Sequence, residues 1–138
     1  MSNEHTVKSY EEELRYLIDS VIKMGSLTES QLVDSMDAVI KVDKDSIDKI
    51  IKSDDEINKF RSKIDTQIMT LLVKRAPMAI DLRETISSLK ISQDLERIGD
   101  LSKSNAKKVK PLPLDLPEEL LGNLKSCLLY TSDAADEL

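Results

Sequence analysis

Positions 47, 50, 54, 57, 61, 64, 68 and 71 of the chain step alternately by three and four residues, and Ile47, Ile50, Ile57, Ile64, Ile68 and Leu71 fill six of these eight. Such a spacing belongs to a helix that presents one long seam to other helices, and few other folds accommodate it. Asp54 and Arg61 occupy the two remaining places. They sit seven residues apart, too far to meet on one helix, so each needs a partner on a neighbouring helix or in solvent. A polar residue that sets helix register accounts for each as well as a functional role does.

The neighbours of that helix read as helices too. Leu14, Leu17, Ile18, Val21 and Met24 recur at helical steps, and Leu32, Met36, Val39 and Ile40 continue them. Gly25 interrupts this run, and Ser26 with Glu29 has the form of a capping box, but the stripe keeps phase across the glycine and predicts one continuous helix. Residues Met1 to Thr6 are polar and are expected to be disordered. Asp43 to Ser46 reads as a short turn, and Pro77 as the stop after the heptad helix. A third helix is expected from about Met78 to Lys108, with acids in its opening turns and lysines in its last. Three long helices on short connections alternate in direction, so the fold class is all-α, an up-down-up three-helix bundle over residues 1–108.

Within the third helix, Asp81 to Asp100 reads DLRETISSLKISQDLERIGD. Leu82, Ile86 and Leu89 share a side with Glu96 and Asp100, so an apolar stripe turns acidic at its C-terminal end. Ile80, Ile91, Leu95 and Ile98 form a second stripe on roughly the opposite side. A helix that is apolar on two faces needs cover on both.

Pro111, Pro113 and Pro117 end the pattern and predict an extended linker over 109–117. Leu120, Leu121 and Leu124 then share one side of a fourth helix, the start of a second, truncated bundle over 118–126. The run CLLYTSDAADE, Cys127 to Glu137, closely resembles the translation of a sequencing adapter, so 127–138 is expected to be an artefact tail without functional weight. With the second bundle cut short, one face of the third helix and the leucines of the fourth are left without cover, and a homodimer is the expected remedy.

The formal charge is −6, and −3 without the tail acids Asp133, Asp136 and Glu137; this argues against nucleic acid and against anionic membrane surfaces as partners. Lys103, Lys107, Lys108 and Lys110 are explained by a helix C-terminus. No apolar run is long enough to span a bilayer and no signal segment opens the chain, so a cytoplasmic location is expected. Cys127 has no partner cysteine and no zinc-ligand spacing, and His5 is the sole histidine. A di-iron carboxylate oxidase requires histidines that are absent, and neither a phosphate loop nor a nucleophile with its base is present; the chain reads as a non-enzyme.

Glu96 and Asp100, one turn apart, can offer oxygen ligands to iron, manganese, magnesium or zinc, with Asp43, Asp54 or Asp81 as further ligand candidates. They can equally be salt-bridged, to Arg97, Lys90 or Lys103, in a purely structural scaffold. Spacing alone leaves both readings open.

Three stretches carry a resemblance: MGSLTESQLVDSMDAV in the first helix, IIKSDDEINKF in the second, and RAPMAIDLRETISSLKISQDLERIGDLSKSNAKK across the turn and third helix. In order and spacing the sequence is similar to the N-terminal half of the PhoU family of phosphate-uptake regulators. That resemblance implies two similar three-helix bundles, each with an E/D-x-x-x-D motif on its third helix, and in some members multinuclear iron or zinc there. It places Glu96 and Asp100 as the metal residues of the first bundle. It also implies negative regulation of phosphate uptake, with the phosphate ABC transporter ATPase and a sensor histidine kinase as partners.

Overall fold

The computed structural model describes the backbone over residues 2–77 and 80–136, and side chains over 8–77 and 80–127. Four helices follow in order: α1, Ser2–Lys41; α2, Ser46–Arg75; α3, Ile80–Lys107; and α4, Glu118–Asp136. Their directions follow from which residues meet. Arg75 near the end of α2 reaches Glu13 near the start of α1, and Arg61 and Asp54 of α2 meet Glu96 and Lys103 of α3 in reversed order. Gln31 of α1 meets Gly99 of α3, and Gly25 faces Leu95, so α1 and α3 run parallel. The bundle is up-down-up.

The α2 seam is buried as its spacing requires. Ile47, Ile50, Asp54, Ile57, Ile64, Ile68 and Leu71 are all within the core, with Arg61 half-buried in the same line. On α1 the stripe holds in the first half except at Ile18, which is exposed; Leu14, Leu17 and Met24 join Ile57, Ile64, Ile68 and Leu71 in the main apolar cluster, with Val21 packed against it. Each such aliphatic side chain contributes about 1.5–3 kcal/mol by leaving water. In the second half of α1 the expected stripe is corrected: Leu32 is exposed, while Thr28, Gln31, Ser35 and Ala38 fill the seam. The seam keeps its three-four step, but its residues become small and polar.

The same correction applies more strongly to α3. Its buried face is Thr85, Ser88, Ser92, Gly99, Ser102 and Ala106, which lies between the two expected apolar stripes. Ile80, Leu82, Ile91 and Ile98 are exposed, Ile86 is half-buried, and Leu89 and Leu95 tuck partly against the core. Small side chains allow α3 to lie close to both other helices. Their hydroxyls need no outside partner, because Thr85, Ser88, Ser92 and Ser102 each donate to a carbonyl of the preceding turn, at 2.8–2.9 Å.

Between α1 and α2 the chain turns on Val42, which has a positive φ of 51° and is buried. Its N–H donates to Val39 O and that of Asp43 to Ala38 O, the paired bonds that close a helix C-terminus. Asp43 then accepts from the N–H groups of Asp45 and Ser46 and from the Ser46 hydroxyl, which starts α2. The Ser46 hydroxyl bond first, then the backbone donors and the Lys41 charge, holds its carboxyl below the usual carboxylate range. At the other end, Ala76 adopts a left-handed conformation just before Pro77 and closes α2. The expected start of α3 at Met78 lies outside the described residues.

Further expectations are corrected. The backbone of α1 is helical from Ser2, because extending an existing helix costs far less than nucleating one. Residues 108–112 form successive turns rather than an extended linker, with Val109 N–H donating to Ala106 O and Leu112 N–H to Val109 O. Val109 is fully buried with Val42 and Ile47, and Leu112, Leu116 and Leu121 pack on them, so the proline segment closes the bundle end. Helix α4 continues past Cys127 without a backbone break. No helix among the described residues is long and apolar enough to cross a membrane.

Candidate functional site

Where the seam of all three helices turns polar, one layer joins them. Asp54, fully buried, accepts from Gln31 Nε2 at 3.2 Å and Asn58 Nδ2 at 3.3 Å, and is ion-paired to Lys103 Nζ. Gln31 also donates to the Gly99 carbonyl at 2.8 Å, while its own Oε1 is buried with no hydrogen-bond partner. Gly99 makes a close approach here: a Cβ at that position would stand 3.3 Å from Ile57 Cδ1, whose tip would have to give by a few tenths of an ångström, and 3.4 Å from Asp54 Oδ1. The glycine within Glu96–Asp100 therefore lets the buried carboxylate and the glutamine meet the α3 backbone.

Charge spreads outward from that layer. Lys103 reaches past Asp54 to Asp100 Oδ1 at 3.5 Å. Its amine is held above the ordinary lysine value, chiefly by the hydrogen bond to Asp54. One layer further along, Arg61 pairs with Asp65 on its own helix and approaches Glu96 Oε2 with Nε at 3.2 Å. That Nε makes no aligned hydrogen bond, so the attraction to Glu96 is coulombic.

Glu96 and Asp100 thus lie at the edge of the bundle. Their side chains are 39% and 57% exposed, and each has a cation beside it. One partner is among those expected and one is not: Asp100 meets Lys103, while Glu96 meets Arg61 on α2 rather than Arg97 or Lys90. The requirement that Asp54 and Arg61 find partners on another helix is met by these same α3 residues. Of the further ligand candidates, Asp54 alone approaches the pair, through Lys103; Asp43 is used in the α1–α2 turn, and Asp81 stands about 22 Å along α3 from Glu96. Sequence reasoning missed Gln31 and Gly99. The signal available was a lone glutamine at a seam position of α1 and a lone glycine at one of α3.

As a metal site the residues fit in kind but not in number. Carboxylate oxygens suit hard cations, yet among the described residues no cluster of three or more potential ligands exists. Arg61 and Lys103 hold the places beside the two oxygens that a cation would take.

The fold and this layer define a helical-bundle protein whose buried polar residues tie three helices in one register. The PhoU domain model matches residues 21–109, and the chain belongs to that family. Among curated relatives, it is 40% identical over 105 residues to the "Phosphate-specific transport system accessory protein PhoU homolog" of Caulobacter vibrioides, covering 76% of this chain and 46% of the relative. Proteins of the same name from Rhizobium meliloti and Xylella fastidiosa are 38% identical over 109 residues and 37% identical over 130 residues. These cover 79% and 90% of this chain and 46% and 54% of the relatives. The chain spans about half the length of the curated relatives it matches. No solved structure matches it.

Proposed function

We propose that this chain acts in the regulatory part of a phosphate-specific transport system, as a cytoplasmic, non-enzymatic negative regulator of phosphate uptake and phosphate signalling. The observation that carries the reading is the family match over residues 21–109, supported by relatives named as accessory proteins. Its partners on this reading are the transporter ATPase and, where one exists, a sensor histidine kinase, met through helical surface. Self-association of the bundle is part of the same proposal. In a strain lacking its own accessory protein, expression of the chain is expected to lower phosphate accumulation, measured by radiolabelled uptake. Uptake that stays at the unregulated level overturns the proposal.

Within this reading, Glu96 and Asp100 supply two oxygen ligands to iron, zinc, manganese or magnesium, and the remaining ligands come from outside the described residues. A bound cation there would cross-link carboxylates in place of Arg61 and Lys103. A second reading rests on the ion pairs themselves: Arg61 with Glu96, and Lys103 with Asp54 and Asp100, make a metal-free scaffold held by charge. Elemental analysis separates them. Replacing Glu96→Ala together with Asp100→Ala lowers bound metal on the first reading; on the second, metal content is negligible before and after, and stability responds to salt but not to chelator.

A further inference from the structure

Along the contact of α2 with α3, four carboxylates and two cations fall into two triads of the same order: Asp65, Arg61 and Glu96 in one layer, Asp54, Lys103 and Asp100 in the next. In each, the cation stands between an acid of α2 and one member of the Glu96–Asp100 pair on α3. Its two sides are unequal. Arg61 is hydrogen-bonded to Asp65, whereas its Nε faces Glu96 at 3.2 Å without an aligned bond. Lys103 is hydrogen-bonded to the buried Asp54, whereas Asp100 lies at 3.5 Å, long for such a bond, and is largely exposed. Each cation therefore holds its α2 acid firmly and its α3 acid loosely.

We propose that Arg61 and Lys103 are resident counter-cations of the Glu96–Asp100 pair and yield that pair to a divalent ion by withdrawing, Arg61 to Asp65 and Lys103 to Asp54. This rests on the metal reading given above and adds to it how the two acids are guarded and which ionic charge they accept. Breaking an ion pair in partly buried surroundings is costly when it strands a charge. Here the withdrawal strands none, because each cation already has a second carboxylate in contact. Asn58 and Gln31 stay on Asp54 throughout.

The charge of the set points to the same ion. Four carboxylates against two cations leave two negative charges unmatched, which one divalent ion neutralises. A trivalent ion would leave excess positive charge beside two side chains that are only 12% and 25% exposed. The guard also weakens binding, since an incoming ion competes with two cations already in place. Asp54 accepts from Gln31 of α1 as well as from Lys103 of α3, so the exchange at the bundle edge alters the charge balance where all three helices meet.

The probe is Mn²⁺ added to the whole purified chain, with the free ion counted by its paramagnetic resonance signal. Arg61→Gln and Lys103→Gln each remove a competitor and are expected to tighten Mn²⁺ binding about fivefold, and both together roughly twentyfold. Lys107→Gln, which removes a positive charge from an exposed position of α3 outside the triads, is expected to change binding less than about twofold. The gain from Arg61→Gln is expected to vanish in a Glu96→Gln chain, and that from Lys103→Gln in an Asp100→Asn chain, which a general change of surface charge would not produce. Asp65→Asn leaves the core untouched and removes the acid to which Arg61 withdraws; it is expected to weaken binding about threefold. Mn²⁺ binding that depends on Glu96 and Asp100 but is indifferent to Arg61→Gln, Lys103→Gln and Asp65→Asn overturns the exchange and leaves the metal reading standing. Binding indifferent to Glu96→Gln and Asp100→Asn, or none up to about 10 mM in both the wild type and the Arg61→Gln/Lys103→Gln chain, overturns the exchange together with the reading it rests on.

Discussion

The two halves of this bundle are built on the same three-four step and filled with opposite chemistry. In one half, Leu14, Leu17 and Met24 of α1 meet Ile57, Ile64, Ile68 and Leu71 of α2. In the other, Gln31, Ser35, Asp54, Gly99 and Ser102 occupy the seam, and the apolar residues fall in a small cluster of Ala38, Ile50 and Ala106 and a second one of Val42, Ile47 and Val109 that closes the bundle end. An aliphatic seam is non-directional: it favours burial but accepts a helix shifted by a turn at modest cost. A buried carboxylate that must meet Gln31, Asn58 and Lys103 accepts only one arrangement. The comparison teaches that stability and register are carried by different ends of the same three helices.

Breaking the aliphatic end has the largest expected effect. Ile64 is fully buried at the centre of the main cluster, and Ile64→Ala removes its bulk where α3 and α1 offer only fixed neighbours. The expected loss is about 3–4 kcal/mol in urea unfolding, with no change in which residues pair across the helices. A loss below about 1 kcal/mol shows that the bundle relaxes into the space, and the division between the halves weakens.

Breaking the polar end has a smaller expected effect on stability and a larger one on uniqueness. Asp54→Ala leaves Gln31 and Asn58 without their acceptor, at roughly 2 kcal/mol, because Lys103 is a quarter exposed and can turn to water. Asp54→Leu sharpens the comparison. Replacing a buried ion pair by an apolar residue is often close to neutral in stability, so that variant is expected to melt near the wild type while its amide spectrum shows more than one set of resonances for α3. A single set of wild-type-like resonances removes the register role.

How far each half was legible in the sequence follows from the same contrast. The α2 seam announces itself because its residues are large and apolar and recur without interruption from Ile57 to Leu71, apart from Arg61. The α3 seam does not, because Thr85, Ser88, Ser92 and Ser102 resemble surface residues in composition, and their hydroxyls are satisfied inside their own helix. Hydropathy pointed instead at Ile91 and Ile98, which face outward. Spacing showed that Asp54 and Arg61 needed partners off their own helix, but pairing across helices depends on axial offset, which a single chain does not display. Sequence therefore puts Glu96 and Asp100 on the third helix at the acidic end of a stripe expected to pack, whereas they lie at the bundle edge, and it offers Lys103 but not Arg61 as a partner. The turns that fold Val109 and Leu112 back on the bundle were hidden by prolines, which fix a backbone angle shared by extended chain and turn.

The smallest expected effect concerns the link between the layer and the motif, the Lys103 amine. Its affinity for a proton is raised in the folded state, first by the hydrogen bond to Asp54. A lysine with a raised folded value contributes stability that is fully present below its unfolded value near 10.4 and is lost as pH rises through the higher folded value. Tyr10, raised by burial, and Tyr16, lowered by Lys63, titrate on the same alkaline side, so the melting curve of the wild type alone does not isolate the lysine. A subtraction does. Lys103→Met is expected to lower stability by about 1 kcal/mol at pH 7, roughly 3–5 °C in melting temperature, and that gap is expected to close as pH rises above the unfolded lysine value and through the raised folded one. A gap that stays constant from pH 7 to the alkaline end means the aliphatic stem of Lys103, rather than its charge on Asp54, holds α3 to α2, and the register of the polar half then rests on Gln31 and Gly99 alone.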